Sequence, residues 1–172
     1  MITQNNIIAS AAVLFMGTLL IPAQIAIGKI PTPNTSVSLE FGNENRGMVL
    51  PWVENNSGIS QNGTMIYDAT DKKVKYLKGG SWFDLSVDTT GTVDLSIQTT
   101  KVEKTEAKVS IGQPSSVDGI LVLEDTNKAM VLPKVASPHL NIINPAPGMM
   151  VYDTTAKQLA VFNGTVWSFW KP

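Results

Sequence analysis

One segment of this chain is written twice. Val49-Leu50-Pro51 returns 82 residues later as Val131-Leu132-Pro133, and Tyr67-Asp68 returns 85 residues later as Tyr152-Asp153. The three extra residues fall in the stretch holding Pro138, Pro145 and Pro147. A surface connector absorbs such a change without disturbing the register on either side. Leu39 and Leu121, Met48 and Met130, Gly63 and Gly148, Thr70 and Thr155, Lys72 and Lys157, and Trp82 and Trp167 all keep step. The chain therefore holds two copies of one unit.

Each unit reads as strand. Ser36 to Phe41 alternates apolar and polar residues, and so do Val93/Leu95/Ile97 and Ala107/Val109/Ile111, the period of two that a half-buried strand requires. No apolar stripe of helical period appears after residue 30. Asp68 and Asp153, each with a threonine two residues later, suit turns in which the carboxylate accepts from its own backbone. Asn163-Gly164 predicts a two-residue type I′ hairpin, because both positions tolerate positive φ. That turn sets Phe162 opposite Thr165 and Val161 opposite Val166, with Trp167 on the face of Phe162. In the first copy Leu77 and Trp82 hold the corresponding places around Lys78-Gly79-Gly80. The fold class expected is all-β: two similar small β-hairpin/β-sheet modules in tandem, at 36–86 and 109–172. A connecting strand or spacer over 87–108 separates them, rich in Ser, Thr, Lys and Glu.

Ile7 to Ile27 carries no charge and is mostly apolar. Ala26-Ile27-Gly28 offers small residues for signal peptidase, so residues 1–28 are expected to be an export signal helix and 29–35 a proline-rich tether. An uncleaved membrane anchor is the rival, since roughly 20 apolar residues span a bilayer. Either way the protein is exported and extracellular.

The chain has no cysteine, which excludes disulfides and thiolate metal sites. With 13 basic against 14 acidic residues, no nucleic-acid partner is indicated. His139 is the single histidine, and no Gly-x-Ser-x-Gly elbow exists. No catalytic residue, metal ligand or cofactor is therefore assigned. Asp84-x-Ser86-x-Asp88 lacks the glycine position of a calcium loop and reads as a solvated turn. Asn62-Gly-Thr64 and Asn163-Gly-Thr165 match glycosylation acceptors but read better as turn chemistry.

The second copy, from Val109-Ser-Ile-Gly112 through Gly119-Ile-Leu-Val-Leu-Glu124, Asn127 to Pro133, Asn144-Pro145-Ala-Pro-Gly148, Tyr152-Asp-Thr-Thr155 and Phe162-Asn-Gly-Thr-Val-Trp167, resembles a known repeat. It is similar to the β repeat of Bacteroidota surface and phage tail-fibre-like proteins. The resemblance covers about 60 residues well, and Leu39 to Leu85 more loosely. The family's Pro-Arg is Pro51-Trp52 in one copy and Pro133-Lys134 in the other. The resemblance implies an extracellular, fibre- or adhesin-associated protein, often trimeric, and carries over no catalytic residue.

The function expected is a non-enzymatic structural subunit of a cell-surface filament, adhesin or fibre-like assembly. It would act through protein contacts as a homo-oligomer or as part of a larger assembly. A secreted carbohydrate-binding module and an accessory subunit of an outer-membrane secretion or gliding complex are the alternatives. Trp82 and Trp167 repeat across the copies and read as core. Trp52 and Trp170 have no aromatic counterpart, so they are the candidate contacts with a partner or a glycan. Thr89 and Thr154 fit a short Asp-Thr-x acceptor pattern for O-glycosylation.

Overall fold

The computed structural model describes residues 24–30, 36–102, 104, 106–112 and 115–171. The leader over residues 1–23 and most of the expected tether lie outside the described residues. The first unit supplies β1 (Ile25–Ile27), β2 (Val37–Phe41), β3 (Met48–Val49), β4 (Trp52–Val53), β5 (Met65–Asp68), β6 (Lys73–Lys78) and β7 (Ser81–Asp84). A single helical turn, α1 (Ser96–Thr99), follows. The second unit supplies β8 (Val109–Gly112), β9 (Leu121–Glu124), β10 (Ala129–Met130), β11 (Lys134–Val135), α2 (Pro138–Asn141), β12 (Met149–Asp153), β13 (Gln158–Phe162) and β14 (Trp167–Trp170). The fold is nearly all β, as the alternating pattern predicts.

Each unit opens on a parallel pair. β1 lies beside β2 with Ile25 opposite Leu39, and β8 lies beside β9 with Val109 opposite Leu121. Ile25-Ala-Ile27-Gly28 thus holds the place of Val109-Ser-Ile111-Gly112. Both glycines have positive φ, 72° and 99°, a conformation that costs a side chain and spares glycine. The boundary expected at residue 28 falls between β1 and its partner β2. The uncharged stretch that runs from the leader into β1, interrupted by Pro22 and Gln24 near its end, concealed this.

Each unit closes on a three-stranded antiparallel meander with a two-residue parallel strand on its rim. Trp52 of β4 faces Tyr67 of β5, and Lys134 of β11 faces Tyr152 of β12. The turns after β5 and β12 are alike. Asp68 Oδ1 accepts the N–H groups of Thr70 and Asp71 at 3.0 and 3.1 Å, and Asp153 Oδ1 accepts those of Thr155 and Ala156 at 2.9 and 3.2 Å. Each turn ends in a left-handed lysine, Lys72 at φ 59° and Lys157 at φ 55°.

The second turns differ, and the hairpin register expected at Asn163-Gly164 is overturned. Phe162 pairs with Trp167 and Val161 with Ser168 across a four-residue loop. Asn163 Oδ1 takes the amides of Thr165 and Val166 at 2.9 and 2.7 Å, so the side chain, not a positive φ at Asn163, closes the turn. Phe162 and Trp167 do share a face, their ring centroids 5.2 Å apart. The two-residue turn lies in the first copy instead. Lys78 pairs with Ser81, and Gly79 and Gly80 both have positive φ, which is what a type I′ turn demands.

The strand expected over Val93–Ile97 is also absent. Asp94 Oδ1 accepts the Ser96 amide at 2.9 Å, and the Gln98 and Thr99 amides return to the Leu95 carbonyl at 3.0 Å. A carboxylate turn running into a single helical turn satisfies these groups locally, in competition with a strand ladder.

The units are not beads, because they exchange strands. β3 of the first unit joins the second unit's sheet, Met48 opposite Met150 and Val49 opposite Met149. β10 of the second unit joins β2 of the first, with Ala129 opposite Val37. One core draws Leu50, Tyr67, Val74 and Leu85 from the first unit and Met150 and Val161 from the second. Burying one such side chain stabilises by roughly 2 kcal/mol, so this shared cluster binds the units into one folding body. A second core, Val135, Ile142, Met149, Val151, Ala160 and Phe162, lies on the opposite face of the second sheet, with Trp167 packed against it.

Candidate functional site

The seam between the units is where the polar side chains converge. Tyr67 is fully buried, and its hydroxyl donates across the seam to the Asn163 carbonyl at 2.8 Å. Burial raises the Tyr67 pKa, with a smaller push from neighbouring Asp68, so the phenol stays a donor. Asn163 is also fully buried. Its Nδ2 donates to the Asp88 carbonyl and to Asp88 Oδ1, both at 2.9 Å. Asp88 turns back to accept the Thr90 amide at 2.9 Å. Side-chain bonds from Thr90 and Asn163 lead the interactions that hold its carboxyl below the usual range.

The connector is thereby clamped beneath the C-terminal turn, and close approach at two glycines permits it. A Cβ on Gly91 would sit 2.1 Å from the Asn163 carbonyl oxygen, and one on Gly148 would sit 2.8 Å from Tyr67 Cβ. Residues 88–92 are a staple between the units and not a free spacer.

Asp68 forms a second polar cluster, facing away from the seam. Its Oδ2 accepts from Asn56 Nδ2 at 2.8 Å and Lys75 Nζ at 3.1 Å, and Lys75 also reaches Asp71. Burial opposes the charge on both Asp68 and Lys75. For Asp68 the amides of Asp71 and Thr70 and the Lys75 ammonium outweigh it, and the pKa falls. For Lys75 the bonds to Asp71 and Asp68 outweigh it, and the pKa rises.

Among the described residues every buried side-chain nitrogen and oxygen has a partner. No group of three or more His, Asp or Glu among them could hold a metal ion. Asp84, Ser86 and Asp88 are engaged separately: Asp84 with Lys73, Ser86 with the Val74 amide, and Asp88 with Asn163. His139 is exposed on α2, edge-on to Phe169 with ring centroids 5.7 Å apart.

The two candidate tryptophans have different settings. Trp52 is half-buried on β4, packs against the shared core and donates Nε1–H to the Pro147 carbonyl at 2.7 Å. It is a bolt between the units. Trp170, on the last strand, is 46% exposed and donates its indole N–H to the Leu85 carbonyl. With Tyr152 and Leu159 it lines an open hollow. Thr89 and Thr154 are both exposed, Thr89 in the connector and Thr154 on the turn after β12.

With the geometry set out, comparison with known families is informative. Residues 97–171 match the family model of the phage tail like trimerisation region. The match begins at α1 and takes in every strand of the second unit, β8 to β14. No curated protein and no solved structure matches the chain. The second unit is thus similar to a trimerisation element, which fits a structural, fibre-like, oligomeric protein and a non-catalytic role.

What residue-level reading missed is the strand exchange. The signal was present, since Met48-Val-Leu-Pro51 and Met130-Val-Leu-Pro133 are the most alike segments of the two copies. Neither says which sheet it will join.

Proposed function

We propose that this protein is an exported structural subunit that assembles as a homotrimer in a fibre-like or adhesive structure at the cell surface. The observation that carries this reading is the match of residues 97–171 to a trimerisation region. The exchanged strands support it, because a fold that already trades strands between its own units leaves strand edges suited to trading between chains. The mass in solution tests it. Light scattering behind size exclusion is expected to give three times the 18.5 kDa chain mass, less the leader where it has been removed. A monomer at every concentration up to the millimolar range would defeat it.

Export is part of the proposal, with a leader that ends before β1. Cleavage after Gly28 would remove β1, and Gln24 already holds the Val37 carbonyl at 3.0 Å. Ala23 is the last small residue before this ordered segment, and signal peptidase selects small residues. Intact-mass analysis of secreted protein is expected to show a chain starting at Gln24; a start at Lys29 would contradict the role given to β1.

A glycan-binding reading keeps Trp170 with Tyr152 and Leu159 as its apolar surface. Trp52 offers only the part of its ring that the seam leaves uncovered.

A further inference from the structure

The internal repeat shows how a strand seats on a meander, and one seat is empty. On the second unit, β12 receives two strands along one edge. β11 covers the half at Tyr152 and Asp153, and β3 covers the half at Met149 and Met150. The Leu50 amide extends this contact to the Gly148 carbonyl at 3.0 Å. On the first unit, β4 covers only the corresponding half of β5, at Tyr67 and Asp68. The other half, Gly63 to Met65, pairs with no strand on that side among the described residues.

The matching strand also has one edge with no strand partner among the described residues. β10 is the counterpart of β3. It gives its Ala129 and Val131 amides to β2, at Ser36 and Leu39 carbonyls 2.9 Å away. Amides along a strand alternate in direction, so those of Met130 and Leu132 face the opposite edge. Those two residues correspond to Met48 and Leu50, whose side of the strand holds β12 within the chain.

A second pair of edges obeys the same rule. β2 is covered by β10, which leaves Leu39 1% exposed. Among the described residues its counterpart in the second unit, β9, pairs with β8 alone, and Leu121 is 43% exposed with Ile120 beside it at 62%. The strand that would cover β9 is the counterpart of β10, which is β3, whose Val49 is 45% exposed.

We infer that copies of this chain join head to tail by repeating the internal exchange: β10 of one copy seats on the Gly63–Met65 edge of the next, while β3 of that next copy covers β9 of the first. One operation, the one relating the two units inside the chain, fills both vacant seats at once. Val49, Ile120 and Leu121, each exposed in the single chain, lie where it places the neighbour. Such a contact uses two different surfaces, so it closes into a ring when the rotation allows. The inference rests on the homo-oligomeric reading above and names the surfaces that reading needs.

The absence of native cysteine makes a disulfide test clean. Thr64 and Val131 correspond to Met149 and Val49, which stand directly opposite each other within the chain. Their Cα atoms in the assembly would then fall within the span a disulfide bridges. The double variant T64C/V131C, oxidised under mild conditions, is expected to run as covalent dimer and trimer on a non-reducing gel. An equimolar mixture of T64C and V131C single variants is expected to stop at dimer. V49C/M149C, whose disulfide would form inside one chain, sets the reaction rate for this geometry. Circular dichroism and light scattering on the reduced variants establish that they fold and assemble. An assembly of wild-type mass with no interchain bond, or with a bond only inside one chain, would overturn the pairing and leave the oligomeric reading standing. A strict monomer would overturn both.

Discussion

Replacing Asn163 with alanine is expected to destabilise the fold by about 4 kcal/mol, at roughly 1 kcal/mol for each hydrogen bond lost. The side chain makes four: two from Nδ2 to Asp88, and two to Oδ1 from the Thr165 and Val166 amides. Alanine removes all four and takes from those two amides the acceptor that closes the turn. In a chain of this size the loss corresponds to a fall in Tm of about 10 °C. Thermal melts followed by tryptophan fluorescence would show it, with both proteins at one concentration because oligomers melt by mass action. Asn163→Asp separates the two halves of the residue. It keeps the acceptor that closes the turn but sets a second carboxylate against Asp88. The aspartate variant should therefore also be destabilised at neutral pH, and should recover relative to Asn163→Ala as acid protonates the pair. If Asn163→Ala melts within a degree or two of wild type, the clamp contributes little and the units are held by their exchanged strands and apolar packing.

That residue also marks where local reading of the sequence stops working. Asn-Gly is a strong hairpin signal because it depends only on the φ preferences of two residues. Here the carboxamide had a better use, since Asp88, 75 residues away, was available to take its N–H groups. The same competition explains Val93 to Ile97, where a carboxylate one residue into an alternating run captured an amide and turned the chain. Features set by nearest neighbours were legible: the Asp68 and Asp153 turns, the shared face of Phe162 and Trp167, and the all-β class. Partner choice was not. β3 and β10 are each two residues long with almost the same flanks, so their sheets are decided by the geometry of the whole chain. Trp52 shows the same limit at the site. Its lack of a counterpart was visible, but its carbonyl partner on Pro147 lies 95 residues away. The start of the first unit was hidden for another reason. Hydropathy registers the apolar residues of β1 but not their period, whereas matching Ile25-Ala-Ile27-Gly28 to Val109-Ser-Ile111-Gly112 exposes the strand.

Asp68→Ala is expected to cost about 3 kcal/mol, the scale for removing one member of a buried ion pair. Asp68 is 5% exposed and Lys75 7%. Without Asp68 the ammonium keeps only Asp71, whose side chain is half exposed, and the Thr70 and Asp71 amides lose their acceptor. The pH dependence distinguishes this from simple loss of packing. The Asp68 pKa is lower in the folded chain than its ordinary value of 3.8. Between the two values the unfolded chain binds more protons, so stability rises with pH there. The contribution is present above about pH 4 and lost as pH falls through the folded value. Lys75 has the opposite sign. Its folded pKa lies above 10.5, so its contribution is present below that value and fades only as pH rises through the folded one. Wild-type stability should therefore be flat through the neutral range and decline at both extremes. Asp153 is shifted down as well, with burial opposed by the amides of Ala156, Ser137 and Thr155, so the variant should keep part of the acid decline. Urea unfolding at a series of pH values from 3 to 7 measures the difference directly. The gap between wild type and Asp68→Ala should narrow below pH 4, because acid removes from the wild type the charge that the substitution has already taken away. A gap that stays constant across that range would mean that Asp68 acts through its shape and not its charge, and that the cluster around Lys75 is not an ion pair in solution.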